Sequence, residues 1–255
     1  MNILKNVGRI PIYIAYEESV RKYAELCGSC IRYVLSEGLD VSQFFPVKLI
    51  GDNWFDGSYG SVAWYLYNCE KEVGSYGLQY RASDLLELFK FDILQWSDPH
   101  IKILITEKSL YERDVDGRVF CVHSMVKRLV SRSFKKFKVK EQIGVNVPGI
   151  VFSVCGIEKY YKQMAKAAFI ILSIREIARL FGVLERTNEV KREYEKRCIK
   201  DDCVMGVGKY IRGKKEIENI SKRSEETDSF FCETCKNELI ERKKHWVRSL
   251  FEVNL

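Results

Sequence analysis

The chain has 255 residues, of which 46% are hydrophobic and 13% aromatic, with nine cysteines and a formal net charge of +7. That balance excludes a disordered polyelectrolyte, and the lack of any 18-residue apolar run excludes a spanning helix, so no membrane partner is expected. Residues 1–9 lack the apolar core of a signal peptide, and an odd cysteine count without such a signal leads us to expect a reducing, cytoplasmic setting with thiols free or on metal.

Residues 9–16 alternate apolar side chains and predict a strand. Residues 17–37 carry helical spacing (Val20, Tyr23, Ala24, Cys27, Ile31, Val34, Leu35) that stops at Gly38, and Phe44–Ile50 reads as a second strand closed by Gly51-Asp52-Asn53. A β-α-β start favours a sheet with helical cover. Cys27-x2-Cys30 lies inside that first helix, where two small residues on a packed face are a simpler account than redox or metal chemistry. Residues 54–75 are rich in aromatic residues and glycine, a packing stretch rather than a substrate platform. Ser83 or Asp84 is expected to cap an amphipathic helix running to Phe91.

Ile101–Thr106 predicts a third strand running into Leu110-Tyr111, with a turn at 114–117. Val119–Val122 and Val126–Val130 are expected to pair as an edge hairpin. Residues 127–140 hold Lys127, Arg128, Arg132, Lys135, Lys136, Lys138 and Lys140 with Phe134 and Phe137 between them and no acid. Phosphates suit the cations and bases suit the rings, so nucleic acid is one candidate partner; a lysine-rich solvated edge accounts for the same pattern. From Gly156 to Leu184 the spacing predicts the longest helix, ended near Gly182. Residues 186–197 and 209–228 are charged and read as an exposed insertion and a loop, and a last helix is expected over 237–255 with Leu239, Trp246, Leu250 and Phe251 as its packing face.

Two constellations carry chemistry. Arg175-Glu176-x-x-Arg179-x-x-Gly182-x-x-Glu185 has the frame of the extended zinc-protease motif H-E-x-x-H-x-x-G-x-x-H. In that motif, positions four apart share a helix face and hold one metal, and the glutamate acts as general base. Here the ligand positions carry guanidiniums, which offer no lone pair. Further on, Cys198-x4-Cys203 and Cys232-x2-Cys235 form two close thiol pairs, the spacing of a closed tetrahedral zinc site.

These residues resemble the archaemetzincins, whose pattern continues from the third histidine into C-x4-C-x-M and then C-x-x-C. Cys198-x4-Cys203-Val204-Met205 and Cys232-x2-Cys235 reproduce those parts, and Gln79-Tyr80 and Leu110-Tyr111 fall where that family has similar residues. The resemblance implies an α/β fold, a metzincin-like twisted mixed sheet with helices and a long central helix. Its first part would span 1–184 and a smaller zinc-stapled part 185–255. It also implies a structural zinc on the four cysteines, a Met-turn at Met205 and a general-base position at Glu176. The catalytic ligand positions fall on Arg175, Arg179 and either Glu185 or, if the charged insertion precedes the third one, Arg197, so the catalytic zinc is expected to be lost. The expected function is a pseudopeptidase that binds a peptide or protein. The alternatives are a zinc peptidase with an unorthodox site and a basic nucleic-acid-associated protein. Glu185 is expected to pair with Arg179 or Arg175, leaving Glu176 to face the cleft.

Overall fold

The computed structural model describes residues 9–52, 60–74, 77–91, 100–129, 147–184, 198–207 and 211–252, with residues 251 and 252 described by their backbone alone. In chain order the elements are β1 (Ile12–Tyr16), α1 (Arg21–Ser36), β2 (Val47–Leu49), α2 (Val62–Asn68), β3 (Lys71–Gly74) and β4 (Gly77–Arg81). Then come α3 (Ala82–Leu88), β5 (Ile101–Thr106), β6 (Ser109–Arg113), β7 (Val119–Val122), β8 (Ser124–Lys127) and β9 (Gly149–Ser153). Four helices close the chain: α4 (Val154–Tyr161), α5 (Ala165–Leu180), α6 (Lys214–Thr227) and α7 (Glu233–Glu252).

The strands form two mixed sheets. The larger runs β2-β1-β5-β9-β8. Its first four strands are parallel and β8 is antiparallel to β9, with Ser124 opposite Phe152 and Lys127 opposite Gly149. Strands β1, β5 and β9 are buried at every position, which is why they read as apolar runs rather than as alternating patterns. Lys102 breaks the run in β5 but stays buried because its ammonium donates to the Gly60 carbonyl oxygen at 2.9 Å and lies 4.9 Å from the centre of the Tyr65 ring. The smaller sheet runs β3-β4-β6-β7.

Helix α5 packs against α1 and β8, and the core around it takes residues from both ends of the chain, from Ile12 to Leu250. Helix α7 fixes two other helices at their C-terminal ends, where carbonyl groups lack intrahelical partners. The Trp246 indole donates to the Phe181 carbonyl oxygen at 2.9 Å. The Lys243 ammonium donates to the carbonyl oxygens of Leu35, Glu37 and Leu39 at 2.8–3.1 Å, and burial brings its pKa down to about 8.

Several local expectations change. Residues 119–122 and 124–127 are not a hairpin: the chain passes from the smaller sheet to the larger at His123. The helix expected over 156–184 is two helices, interrupted where Lys162 takes a positive φ of 48°, and α7, at 20 residues, is longer than either. The stretch 209–228 contains α6, whose Ile217 and Ile220 supply an apolar contact too sparse to stand out among its charges. Helix α3 starts after Arg81 without a side-chain cap, and Asp84 instead accepts from the Glu70 backbone N–H at 2.7 Å. Cys27 and Cys30 are buried in the α1 face, where burial pushes the Cys30 thiol up to about 12, as packing residues rather than reactive ones.

Candidate functional site

The second half of α5 carries the degenerate motif. Its C-terminal end turns through Phe181–Leu184, where Gly182 has a φ of 93° that a β-carbon would oppose. Arg175 and Glu176 are buried, at 3% and 1% exposure. The Glu176 carboxylate accepts from the Arg175 guanidinium through Oε1 and from Arg179 Nη1 through Oε2 at 3.3 Å. Ser124, the first residue of β8, donates its hydroxyl to Oε1 at 2.9 Å. Glu176 therefore does not face an open cleft. It turns toward the edge strand and is held from three sides, because a buried carboxylate beside two cations is far more favourable than either charge alone. Burial pushes its pKa up, but Arg175, Arg179 and the hydrogen bonds outweigh burial and leave it below the usual carboxylate range. The expected pairing of Glu185, and the Arg197 alternative, lie outside the described residues.

Strand β8 and helix α5 run side by side beyond this point. The Leu129 backbone N–H donates to the Leu180 carbonyl oxygen at 3.0 Å, which sets Arg128 beside Arg179. Arg179 is raised by Glu176, but burial together with Arg175 and Arg128 brings its pKa below the ordinary guanidinium value. At the other end of β8, His123 is buried against the rings of Tyr160 and Tyr161, with centroids 5.7 and 5.6 Å away. Desolvation, with Arg175 as a second cause, lowers its pKa to about 4. His123 also lines a cavity of about 330 Å³ with Ser109, Cys121, Gly156, Lys159 and Tyr160.

The four cysteines converge. Cys198, Cys203, Cys232 and Cys235 place their sulfurs within 4.8 Å of one another, and Cys198 Sγ lies 3.6 Å from Cys232 Sγ. Ligands about 2.3 Å from a tetrahedral zinc stand about 3.8 Å apart, so the cluster has the dimensions of one metal cage. The backbone supports it: Lys200 N–H points at Cys198 Sγ at 3.5 Å and Cys232 N–H at Cys203 Sγ at 3.3 Å. Gly206 closes the first knuckle where a β-carbon would meet the Lys200 carbonyl oxygen at 2.2 Å. These four donors could hold a metal ion. Three of the four residues are buried, and the site is closed around its thiols. Met205 is buried in the short 3-10 turn Val204–Gly206, which packs against α5 and ties the cysteine site to the degenerate helix.

In the basic stretch, Lys127 is engaged with Glu87 at 2.7 Å, and residues 130–146 lie outside the described residues. Ser124, Arg128 and His123 complete the surroundings of α5; Ser124 and His123 carried no sequence signal of their own, and Arg128 was legible only as one cation of the basic stretch. Among the described residues no helix is long and apolar enough to cross a membrane. No protein-family profile and no curated protein sequence matches the chain. Among solved structures, it is similar to the archaemetzincin of Methanopyrus kandleri, at 14% identity over 93% of this chain and 97% of that one, with a TM-score of 0.49.

Proposed function

We propose that this protein is a non-catalytic relative of the archaemetzincins that binds a peptide or protein beside α5 and uses one zinc ion, on Cys198, Cys203, Cys232 and Cys235, to hold its C-terminal part. The observation that carries the reading is the state of Glu176. A general base must reach a water and take its proton. Glu176 is buried, ionised, and committed on both oxygens to Arg175, Arg179 and Ser124. The guanidiniums on either side of it can neither ligate a divalent cation nor lose their charge, and they repel one. Binding is supported by the topology: β8 ends the larger sheet, so its outer edge has no strand partner among the described residues and suits an extended peptide. Thiolates in a closed set of four favour zinc in a structural role, which ties folding of this part to metal.

The test is a peptidase assay on metal-replete protein with mixed peptide substrates. We expect no turnover above background. Turnover that a chelator and Glu176→Ala both abolish, and that persists when Cys203→Ser has removed the cysteine-bound metal, would contradict the proposal.

A further inference from the structure

Three pieces of chain meet around the cavity of about 330 Å³ beside α4. Ser153, the last residue of β9, donates its backbone N–H to the His123 carbonyl oxygen at 2.9 Å and its hydroxyl to the Lys108 carbonyl oxygen at 2.8 Å. The cavity therefore lies beyond the carboxyl ends of β5 and β9, where connections leave the larger sheet. In open α/β sheets that end is where diverging connections leave room for a ligand. One wall is the smaller sheet: Tyr111 pairs with Cys121, and Ser109, two residues before Tyr111, shares their face. The other wall is α4, through Gly156 and Tyr160, with Lys159 exposed at the rim. The lining sets the chemistry. His123, Tyr160 and Tyr161 form a cluster of rings with centroids 4.9–5.7 Å apart. His123 and Tyr161 are buried and Tyr160 is 59% exposed, so the cluster runs from the interior to the mouth. With a pKa near 4 the imidazole is uncharged at neutral pH, and this wall is an aromatic surface without formal charge. Two polar groups accompany it. The Ser109 hydroxyl lies 3.7 Å from Cys155 Sγ, and the Cys121 sulfur accepts from Gln79 Nε2 at 3.1 Å. Gln79 is itself buried, so its amide fixes the position of the thiol.

We infer that this cavity binds a small uncharged aromatic molecule of the phenol or indole class, its ring against Tyr160 and His123 and its one polar hydrogen directed at the Ser109 hydroxyl or the Cys121 sulfur. Concave sites for small molecules span about 300–1,000 Å³ and combine a mainly apolar wall with a few placed polar groups. The volume here is at the lower end of that range, which suits one ring or two fused rings rather than a nucleotide or a longer chain. Aromatic walls favour aromatic ligands over saturated ones of equal size, because ring edges and faces carry opposite partial charge. The site stands independently of peptide binding beside α5.

The experiment titrates the full, zinc-loaded chain with phenol and, separately, with indole, read by calorimetry and by the NMR signals of the three histidines. The His123 signals are identified by their loss in His123→Gln. We expect saturable binding of at least one probe, with the His123 signals shifted by the ring current of the ligand. Tyr160→Ala should weaken binding about fivefold, whereas Tyr160→Phe, which keeps the ring, should stay within about twofold of the wild type. Tyr160 is mostly exposed, so both variants should keep the fold, which the thermal midpoint checks. Cys121→Met, whose longer side chain fills part of the cavity, should weaken binding by about tenfold or more. Tyr67→Ala removes another exposed ring, on α2, and should leave binding unchanged. Cyclohexanol, close to phenol in size but without a π face, should bind at least about fivefold more weakly than phenol. The inference is overturned if neither probe binds saturably, or if binding leaves the His123 signals in place. It is also overturned if folded Tyr160→Ala binds as strongly as the wild type, or if cyclohexanol binds as strongly as phenol.

Discussion

The two constellations of the chain hold opposite kinds of donor. At the cysteine cluster four donors face one another across the dimensions of one ion. At α5 the spacing of a metal motif carries side chains that bond one another instead: two guanidiniums and one hydroxyl converge on one carboxylate. Metal capacity is thus a property of the donor set and not of the spacing. The same spacing that would orient two imidazoles toward an ion orients two arginines toward a neighbouring glutamate.

The largest effect should come from the cysteine side. Cys203→Ser, or chelation, should release the metal and open the segment from 198 to 250, because apparent zinc affinities of about 10–16 kcal/mol at pH 7 are folding free energy. Rapid proteolysis in that segment is the readout, and undiminished protease resistance would break the contrast. On the α5 side, Glu176→Ala should cost about 3–5 kcal/mol in chemical denaturation, the loss expected when a buried ion pair leaves its cations uncompensated. Replacing the trio together (Arg175→Met, Glu176→Leu, Arg179→Met) should cost less than the single change, since an apolar set of similar volume has no charge to bury. A glutamate poised for catalysis and facing water would give little loss in the single variant.

His123 gives a smaller, pH-resolved effect. Its folded pKa of about 4 lies below the unfolded value near 6.5, so between those limits the unfolded chain binds the extra proton. Stability should therefore fall as pH drops from about 6.5 to about 4, by roughly 3 kcal/mol across the window, and His123→Gln should flatten that part of the profile. Parallel profiles for the two proteins would remove the buried imidazole from the account. The smallest change is Lys127→Ala, which breaks a half-exposed pair with Glu87 and should alter stability by less than about 1 kcal/mol.

Much of this was legible in the residues. Strands β1 and β5, helix α1 and the packing face of α7 follow from periodicity, and the α/β class follows from their order. The cysteine pairs signalled a metal cage through spacing alone, and the sulfurs do converge. The interior strand β9 was missed because a short buried run beside an apolar helix has no period of its own. The break between α4 and α5 went unseen because Lys162 adopts a positive φ that no glycine or proline announces. The orientation of Glu176 was missed for a different reason. Helical spacing puts Glu176 about 100° from Arg175, yet long side chains and the Ser124 hydroxyl on β8 bring it back toward both cations. Periodicity places Cβ atoms, and the tips of arginine and glutamate reach well beyond them. Ser124 and Arg128 enter the site only through strand register, which is a tertiary fact.

The most direct measurement of the central contrast is the metal content of the purified protein, taken on the wild type, Cys203→Ser and Glu176→Ala. One zinc per chain is the prediction, lost in Cys203→Ser and retained in Glu176→Ala. Two zinc ions per chain, one of them surviving Cys203→Ser, would contradict it.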